Sequence, residues 1–126
     1  MAVTIKGLSG LQAKLNKLDP KTRAAAFIGV AKAGLLVEWA AKLITPVSTE
    51  ITRPGGPHGE LRDSIESKAT KTYTGAKAEI GTNKEYAPYV EFGTSRQRAQ
   101  PYLHPALQKN RRAVKKIVRD EIRRAI

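Results

Sequence analysis

Few side chains in this sequence have the types and spacing that enzyme chemistry needs. The two histidines, His58 and His104, form no pair at metal-ligand spacing, and the chain contains no cysteine. No metalloprotease, nucleophile-elbow or phosphate-loop motif is present. Glu85 and Glu91 are the nearest approach to an acid–base pair, and only their proximity supports that role. We therefore expect no enzyme, no metal and no cofactor, with His58 in a loop and His104 as a packing residue.

Positive charge is the more informative chemical feature. The net charge is +12, which favours anionic partners such as nucleic acid or acidic protein surfaces. From Arg96 to Ile126 there are ten Lys or Arg and two acids, so this tail carries 10 − 2 = +8 of the charge. A basic helix face can bind phosphates without sequence preference, although most charge runs are only solvated. The candidate contacts to DNA or an acidic partner are Lys109, Arg112, Lys116, Arg119 and Arg123.

Length and composition limit the architecture. A chain of 126 residues is expected to form a single domain, residues 1–126. Hydrophobic residues make up 40% and aromatic residues 6%, so the core must be built mainly from Ala, Val, Leu and Ile. No uninterrupted apolar run reaches the roughly 18 residues of a membrane span, and the N-terminus lacks the pattern of a secretory signal. We therefore expect no membrane partner.

The hydrophobic pattern predicts an α+β fold. An alternating strand at Val3–Leu8 is followed by a short amphipathic helix to Leu18, after which Asp19 caps a long central helix over about 20–44. A β-hairpin near 62–82, turning at Thr74–Gly75, supplies the remaining strands of a small antiparallel sheet. A C-terminal helix over about 105–124 completes the fold.

The long central helix is apolar around most of its circumference. Such a helix is either buried on all sides or shared with another subunit. Burial on every side is hard to arrange in so small a domain, so the pattern favours a subunit interface. The candidate interface residues on this helix are Phe27, Val30, Gly34, Val37, Trp39 and Ala41.

Aromatic residues and prolines concentrate in EYAPYVEFGTSRQRAQPYLHPAL, residues 85–107. Three of the four tyrosines, one of the two phenylalanines and three of the seven prolines lie there. Aromatic rings can anchor an irregular stretch onto a core, or they can supply hot spots of an interface. We expect the rings of Tyr86, Tyr89 and Phe92 to turn inward, Gly93 to make a turn, and the polar segment after it to reach outward.

Three motifs resemble the head–tail joining (neck, tail-completion) proteins of long-tailed bacteriophages, the gene-product-ten-like family. HGELRDSI keeps a glycine, leucine, arginine, serine and isoleucine of the family pattern, with His58 where a threonine is common and a longer RPGGP loop before it. YAPYVEFGT stands almost intact at Tyr86–Thr94. The pattern proline-aromatic-leucine-x-proline-alanine follows at Pro101–Ala106. The residues of the second and third motifs that we assign to the family pattern or to packing are Tyr86, Pro88, Tyr89, Glu91, Phe92, Gly93, Pro101, Leu103 and Pro105.

The resemblance implies a structural virion protein of the phage neck. Such a protein joins the head connector to the tail as part of a homo-oligomeric ring around the DNA channel, and it assembles in the host cytoplasm. Its partners would be copies of itself, the head connector or stopper, the tail terminator or tail tube, and the DNA in the channel. Arg96 and Arg98 would contact a neighbouring subunit or ring. The alternative, from the residues alone, is a small basic nucleic-acid-binding module that uses the C-terminal helix.

Overall fold

The computed structural model describes residues 2–6, 20–47, 54–56, 58–72 and 75–125. These residues form an α+β fold in which a three-stranded antiparallel sheet packs against a long helix. The strands are β1 (Ala2–Lys6), β2 (Glu66–Thr72) and β3 (Gly75–Gly81), and the helices are α1 (Pro20–Ile44), α2 (Glu60–Ser64), α3 (Ala87–Phe92), α4 (Leu103–Lys109) and α5 (Arg111–Ala125).

The sheet has β3 at its centre, with β1 and β2 on either side. Its register pairs Ile80 with Ser67 on β2 and with Val3 on β1. Alternate residues of β3 are buried, as the two-residue period of a half-buried strand requires. Because Ala76, Ala78 and Ile80 are mostly small, α1 approaches the sheet closely.

Helix α1 occupies the bounds that the sequence predicts. Proline suits the first helical turn, where its missing N–H would have no partner. At the other end, the Thr45 amide and hydroxyl both donate to the carbonyl of Ala41, at 3.0 and 2.5 Å. Glycine allows close packing on two sides of the helix. A Cβ at Gly34 would lie 3.0 Å from Ala78 of the sheet, and one at Gly29 would lie 3.0 Å from the Cα of Val118 on α5.

The core consists mainly of alanine and aliphatic residues, as the composition predicts. Val37, Ile65, Ile80, Leu103 and the single large ring of Tyr102 are its largest fully buried side chains. One face of α5 enters this core through Val114, Val118 and Ile122.

Several predicted boundaries need correction. Residues 60–64 are a helical turn, not part of the hairpin, because Gly59 adopts φ +80° and its carbonyl accepts the amide of Asp63 at 2.9 Å. The C-terminal helix is two helices. Asn110 separates them: its side-chain amide donates to the Ala106 carbonyl at 2.7 Å, and its own carbonyl accepts the amide of Val114.

Of the other predictions, some are confirmed and some concern residues outside the described part of the chain. The N-terminal strand and the hairpin are confirmed, with β1 at Ala2–Lys6 and β2 joined to β3 after Thr72. The hairpin connection is one residue earlier than predicted, since Gly75 already pairs with Thr72. The predicted short helix before Leu18, the Asp19 cap and Thr74 of the hairpin turn lie outside the described residues.

Helix α1 is long and apolar enough by composition to span a membrane, contrary to the expectation from counting consecutive apolar residues. Core helices share this composition. Nine residues of α1, among them Val30, Ala33, Val37 and Ala41, are buried within the fold, so packing of the chain on itself accounts for much of its apolar character.

Candidate interaction surfaces

Glu91 holds the aromatic–proline segment in place. Its carboxylate is buried and accepts three consecutive backbone amides, from Tyr102 at 2.7 Å, Leu103 at 2.8 Å and His104 at 3.1 Å. These amides belong to the start of α4, where N–H groups have no partner within the helix, and a negative charge there also interacts favourably with the helix dipole. Glu91 therefore links α3 to α4, and its carboxylate has a structural role.

The segment between α3 and α4 folds back on itself as a closed loop. Gly93 begins it at φ +78°, where a Cβ would lie 2.7 Å from the amide nitrogen of Ala99. The amide of Gln100 donates to the carbonyl of Val90 at 2.8 Å, and the amide of Thr94 to that of Gln97 at 2.8 Å. This loop, residues 93–100, is exposed in all but its first residue.

Arg96 and Arg98, the predicted contacts to a neighbouring subunit, lie at the tip of this loop. Both side chains are exposed. Their position leaves them accessible to a partner, and the contact itself stays a prediction.

Three aromatic rings of the motif point away from the core. Tyr86, Tyr89 and Phe92 are 40, 57 and 63% exposed, and we call them the aromatic face. The prediction that they turn inward is wrong, because the short helix α3 buries its opposite side, through Ala87 and Glu91. Phe92 keeps one ring neighbour, His104, with ring centroids 6.0 Å apart.

Tyr102 is the aromatic residue that does anchor the segment. It is fully buried, and its hydroxyl has no hydrogen-bond partner among the described residues. Burial, together with the nearby carboxylate of Glu91 and the phenol of Tyr86, raises the pKa of Tyr102 to about 12. Sequence reasoning left Tyr102 as a variable position of the motif and missed its role. The feature of the sequence that could have indicated this role is the position of Tyr102 directly before Leu103, which is also buried.

The prolines and Leu103 of the motif shape the path of the chain. Pro88 lies in the first turn of α3 and Pro105 in the first turn of α4, where proline is well tolerated. Pro101 is exposed and ends the loop, while Leu103 is completely buried. The packing role predicted for these residues is confirmed for Leu103.

Most of the predicted interface residues on α1 lie in the core of the same chain. Val30, Gly34, Val37 and Ala41 are buried between the sheet and the helices, so they are not available to a second subunit. The prediction failed because it treated the small residues as the contact face, whereas those residues let the sheet and α5 approach α1. Phe27 is half-buried, with the Lys71 ammonium 5.5 Å from its ring centroid.

Trp39 remains as an exposed candidate, and it belongs to a larger apolar surface. Ile28, Leu35, Trp39 and Leu43 are 46, 57, 65 and 71% exposed, and we call them the α1 stripe. Their spacings of seven, four and four residues place them on one face of the helix. A search for helical spacing among the large residues alone would have found this stripe in the sequence.

Helix α5 carries the predicted basic surface. The predicted residues Arg112, Lys116, Arg119 and Arg123 are all exposed, as is Lys109 at the end of α4. Lys115 lies between them, and we call Arg112, Lys115, Lys116, Arg119 and Arg123 the basic face. Within the described part of the chain none of these five forms an ion pair.

One of the two acids of α5, Glu121, is paired with basic residues outside the basic face. Glu121 accepts a hydrogen bond from Lys32 of α1 at 2.5 Å and another from Arg124 at 3.0 Å. The hydrogen bond from Lys32 is the main reason why the pKa of Glu121 lies below its ordinary value. Glu121 is thus paired with Lys32 and Arg124, and not with a residue of the basic face.

The candidates for acid–base chemistry are not assembled into a site. Glu91 is buried under three amides, whereas Glu85 is exposed at the start of the aromatic face. His104 is exposed beside Phe92, contrary to the prediction that it is a partly buried packing residue. His58 is half-buried in a loop. Among the described residues, no group of three or more His, Asp or Glu side chains is placed to hold a metal.

Comparison with known proteins places the chain among the structural proteins of bacteriophages. The matching family model is that described as "Bacteriophage HK97-gp10, putative tail-component", and it covers residues 9–93. The match covers more than half of the chain, which therefore belongs to the HK97 gp10-like family. The match includes the HGELRDSI motif and the YAPYVEFGT motif as far as Gly93, while the motif at Pro101–Ala106 lies beyond it.

Among curated proteins, the chain is similar to the uncharacterized protein MJ0331 of Methanocaldococcus jannaschii. The two are 35% identical over 69 residues, which is 53% of this chain and 51% of the relative. The chain thus matches about half the length of that protein. No solved structure matches the chain significantly.

Proposed function

We propose that this protein is a structural component of the phage neck, where it joins the head connector to the tail. It acts as one subunit of a homo-oligomeric ring around the DNA channel, with the head connector or stopper on one side and the tail terminator or tail tube on the other. Its mechanism is assembly, in which no covalent bond is made or broken. The family of tail components supports the virion role.

The observation that carries the neck assignment is the combination of two kinds of surface, one basic and one apolar, on one small fold. The basic face of α5 is suited to duplex DNA, because exposed Lys and Arg neutralise phosphates without reading sequence. The aromatic face and the α1 stripe are suited to proteins, since exposed apolar patches mark interaction sites. A subunit that lines a DNA channel and contacts neighbours needs both kinds of surface.

The test is made in the phage that encodes the protein. Removal of the gene should yield DNA-filled heads and complete tails that stay separate, and supply of the protein in trans should join them. Electron microscopy of the lysate counts the joined particles. Tails that are missing or of abnormal length would point to a role in building the tail instead, and would contradict the neck assignment.

A second candidate function is a small nucleic-acid-binding module, which the uncompensated basic face favours. Arg112→Glu/Lys116→Glu and the control Lys68→Glu/Lys84→Glu change the net charge equally, but the control residues lie away from α5. If DNA binding depends on the basic face, only the first pair should weaken it and reduce the salt dependence, by roughly one unit of slope per lost phosphate contact. Loss of DNA affinity with unimpaired head–tail joining would favour this second function over the neck role.

A further inference from the structure

Two exposed apolar surfaces of this chain point outward from different elements. The α1 stripe lies on a helix whose opposite side, at Val37 and Ala41, is completely buried. The aromatic face lies on α3, which packs against the core through Ala87 on its opposite side. A ring requires one surface of each subunit to meet a different surface of the next, and the chain offers such a pair.

The α1 stripe is large enough to be a principal contact. Ile44 and Val47, at and just beyond the end of α1, are also exposed, at 42 and 39%. Together these six side chains expose on the order of 500 Å² of apolar surface, comparable with the largest patch on a typical monomer. A standard interface buries about 800 Å² on each partner. The stripe and these two side chains together therefore expose more than half of the area that each partner buries in a standard interface.

One acid, Glu85, flanks the aromatic face next to Lys84, and one base, Lys32, lies within the α1 stripe. Lys32 lies within the α1 stripe, and its side chain remains 53% exposed although it pairs with Glu121. Glu85 lies beside the aromatic face, exposed and without an ion pair among the described residues. In a chain of net charge +12, copies repel one another, and an acidic residue beside the aromatic face makes it a favourable place for a basic-flanked partner.

From these observations we propose that the α1 stripe of one copy docks on the aromatic face of a second copy. The rings of Tyr89 and Phe92 pack against Trp39 and Leu43, and Glu85 approaches Lys32 of the neighbour. Repetition of this head-to-tail contact builds the ring. The inference rests on the proposed neck function for its biological setting, but the contact is a property of the free chain.

Engineered cysteines test the contact directly, because the chain has none of its own. We compare the double variant Trp39→Cys/Tyr89→Cys with each single variant, at high protein concentration and with a short thiol cross-linker. The double variant should give a ladder of covalent oligomers, while each single variant should stay a monomer. A double variant with the second cysteine at Lys68, on the sheet, is the control and should give no ladder.

Other outcomes would overturn the proposal. A covalent dimer of the single Trp39→Cys variant would show that two stripes pack on each other. No cross-linking of any variant, with circular dichroism showing that all are folded, would mean that a different protein covers these surfaces. A mixing experiment provides the second test. Trp39→Asp and Phe92→Asp chains should each be monomeric, yet form a 1:1 dimer when mixed, since each keeps one intact surface.

Different results would contradict the proposed neck function and the proposed self-contact. If the ladder forms but removal of the gene leaves heads joined to tails, the self-contact is real and the function is wrong. If the gene is needed for joining but the ladder and the mixed dimer are absent, the function stands and the self-contact is wrong.

Discussion

Gly29 of α1 lies directly against the backbone of Val118 on α5. A Cβ at Gly29 would be 3.0 Å from the Cα of Val118 and 3.2 Å from the Cβ of Glu121. The absence of a side chain at this one position sets how closely the two helices approach, and with it where the basic face of α5 stands relative to the α1 stripe.

Enlargement of Gly29 should separate these helices. Gly29→Leu is expected to lower the free energy of unfolding by about 1–3 kcal/mol or more, since over-packing strains a close contact. Urea denaturation measures the change. Ala24→Leu, on an exposed turn of the same helix, is the control and should change stability by less than about 0.5 kcal/mol. A Gly29→Leu protein as stable as the wild type would show that α5 can shift without cost.

Removal of the Glu91 carboxylate should damage the start of α4. Glu91→Ala leaves three amides without their acceptor, and the loss of charged hydrogen bonds in a buried site is expected to cost about 3–5 kcal/mol. Glu91→Gln keeps the shape but has one acceptor oxygen, so it should recover part of this loss. Thermal unfolding of both variants, with Glu85→Ala as an exposed control, tests the prediction. Equal stability of Glu91→Ala and Glu85→Ala would contradict it.

Two glycines with similar positive φ values should respond differently to alanine. Gly55 has φ +69° with nothing near a Cβ, whereas Gly93 has φ +78° with the Ala99 amide 2.7 Å away. Gly55→Ala is expected to cost only backbone strain, about 1–2 kcal/mol, and Gly93→Ala more, since the loop must also open. Chemical denaturation of the pair separates the two effects. Comparable losses at both positions would mean that the loop at residues 93–100 yields easily.

The buried hydroxyl of Tyr102 should contribute nothing to stability at neutral pH. It has no hydrogen-bond partner among the described residues, so Tyr102→Phe is expected to be neutral or to stabilise by up to about 1 kcal/mol. Tyr102→Ala, in contrast, opens a cavity and should cost about 3–5 kcal/mol.

The same hydroxyl predicts a dependence on alkaline pH. Its pKa is about 12 in the folded chain, above the ordinary value of 10.0. The unfolded chain therefore loses this proton first, so the free energy of unfolding falls as the pH rises from about 10 toward 12. Tyr102→Phe should lose less stability over that interval than the wild type. Parallel curves for the two proteins would show that the phenol is not buried in solution.

The sequence predicted the elements better than it predicted their faces. The long helix, the hairpin and the exposed basic residues follow from periodicity and from proline placement, which are local properties. The direction of Tyr89 and Phe92 is not local. It depends on whether Ala87 or the rings turn toward the core. Ala87 does so because Glu91, on the same side of α3, must reach the amides of α4.

The faces of α1 show the same limit. Val37 and Trp39 are two residues apart and have opposite environments, 0 and 65% exposed. Both are large and apolar, so hydropathy does not separate them. Which side faces outward is decided by the sheet and α5, whose approach depends on Gly34 and Gly29.

The closed loop at residues 93–100 also has an evolutionary consequence. Its ends are fixed to each other by the Gln100–Val90 hydrogen bond and, beyond them, by Glu91. Doubling the length of a loop whose ends are already held costs only about 0.6 kcal/mol. Insertions and substitutions around Arg96 and Arg98 can therefore accumulate with little penalty to folding. Related sequences can therefore differ in this segment while the rest of the domain stays unchanged.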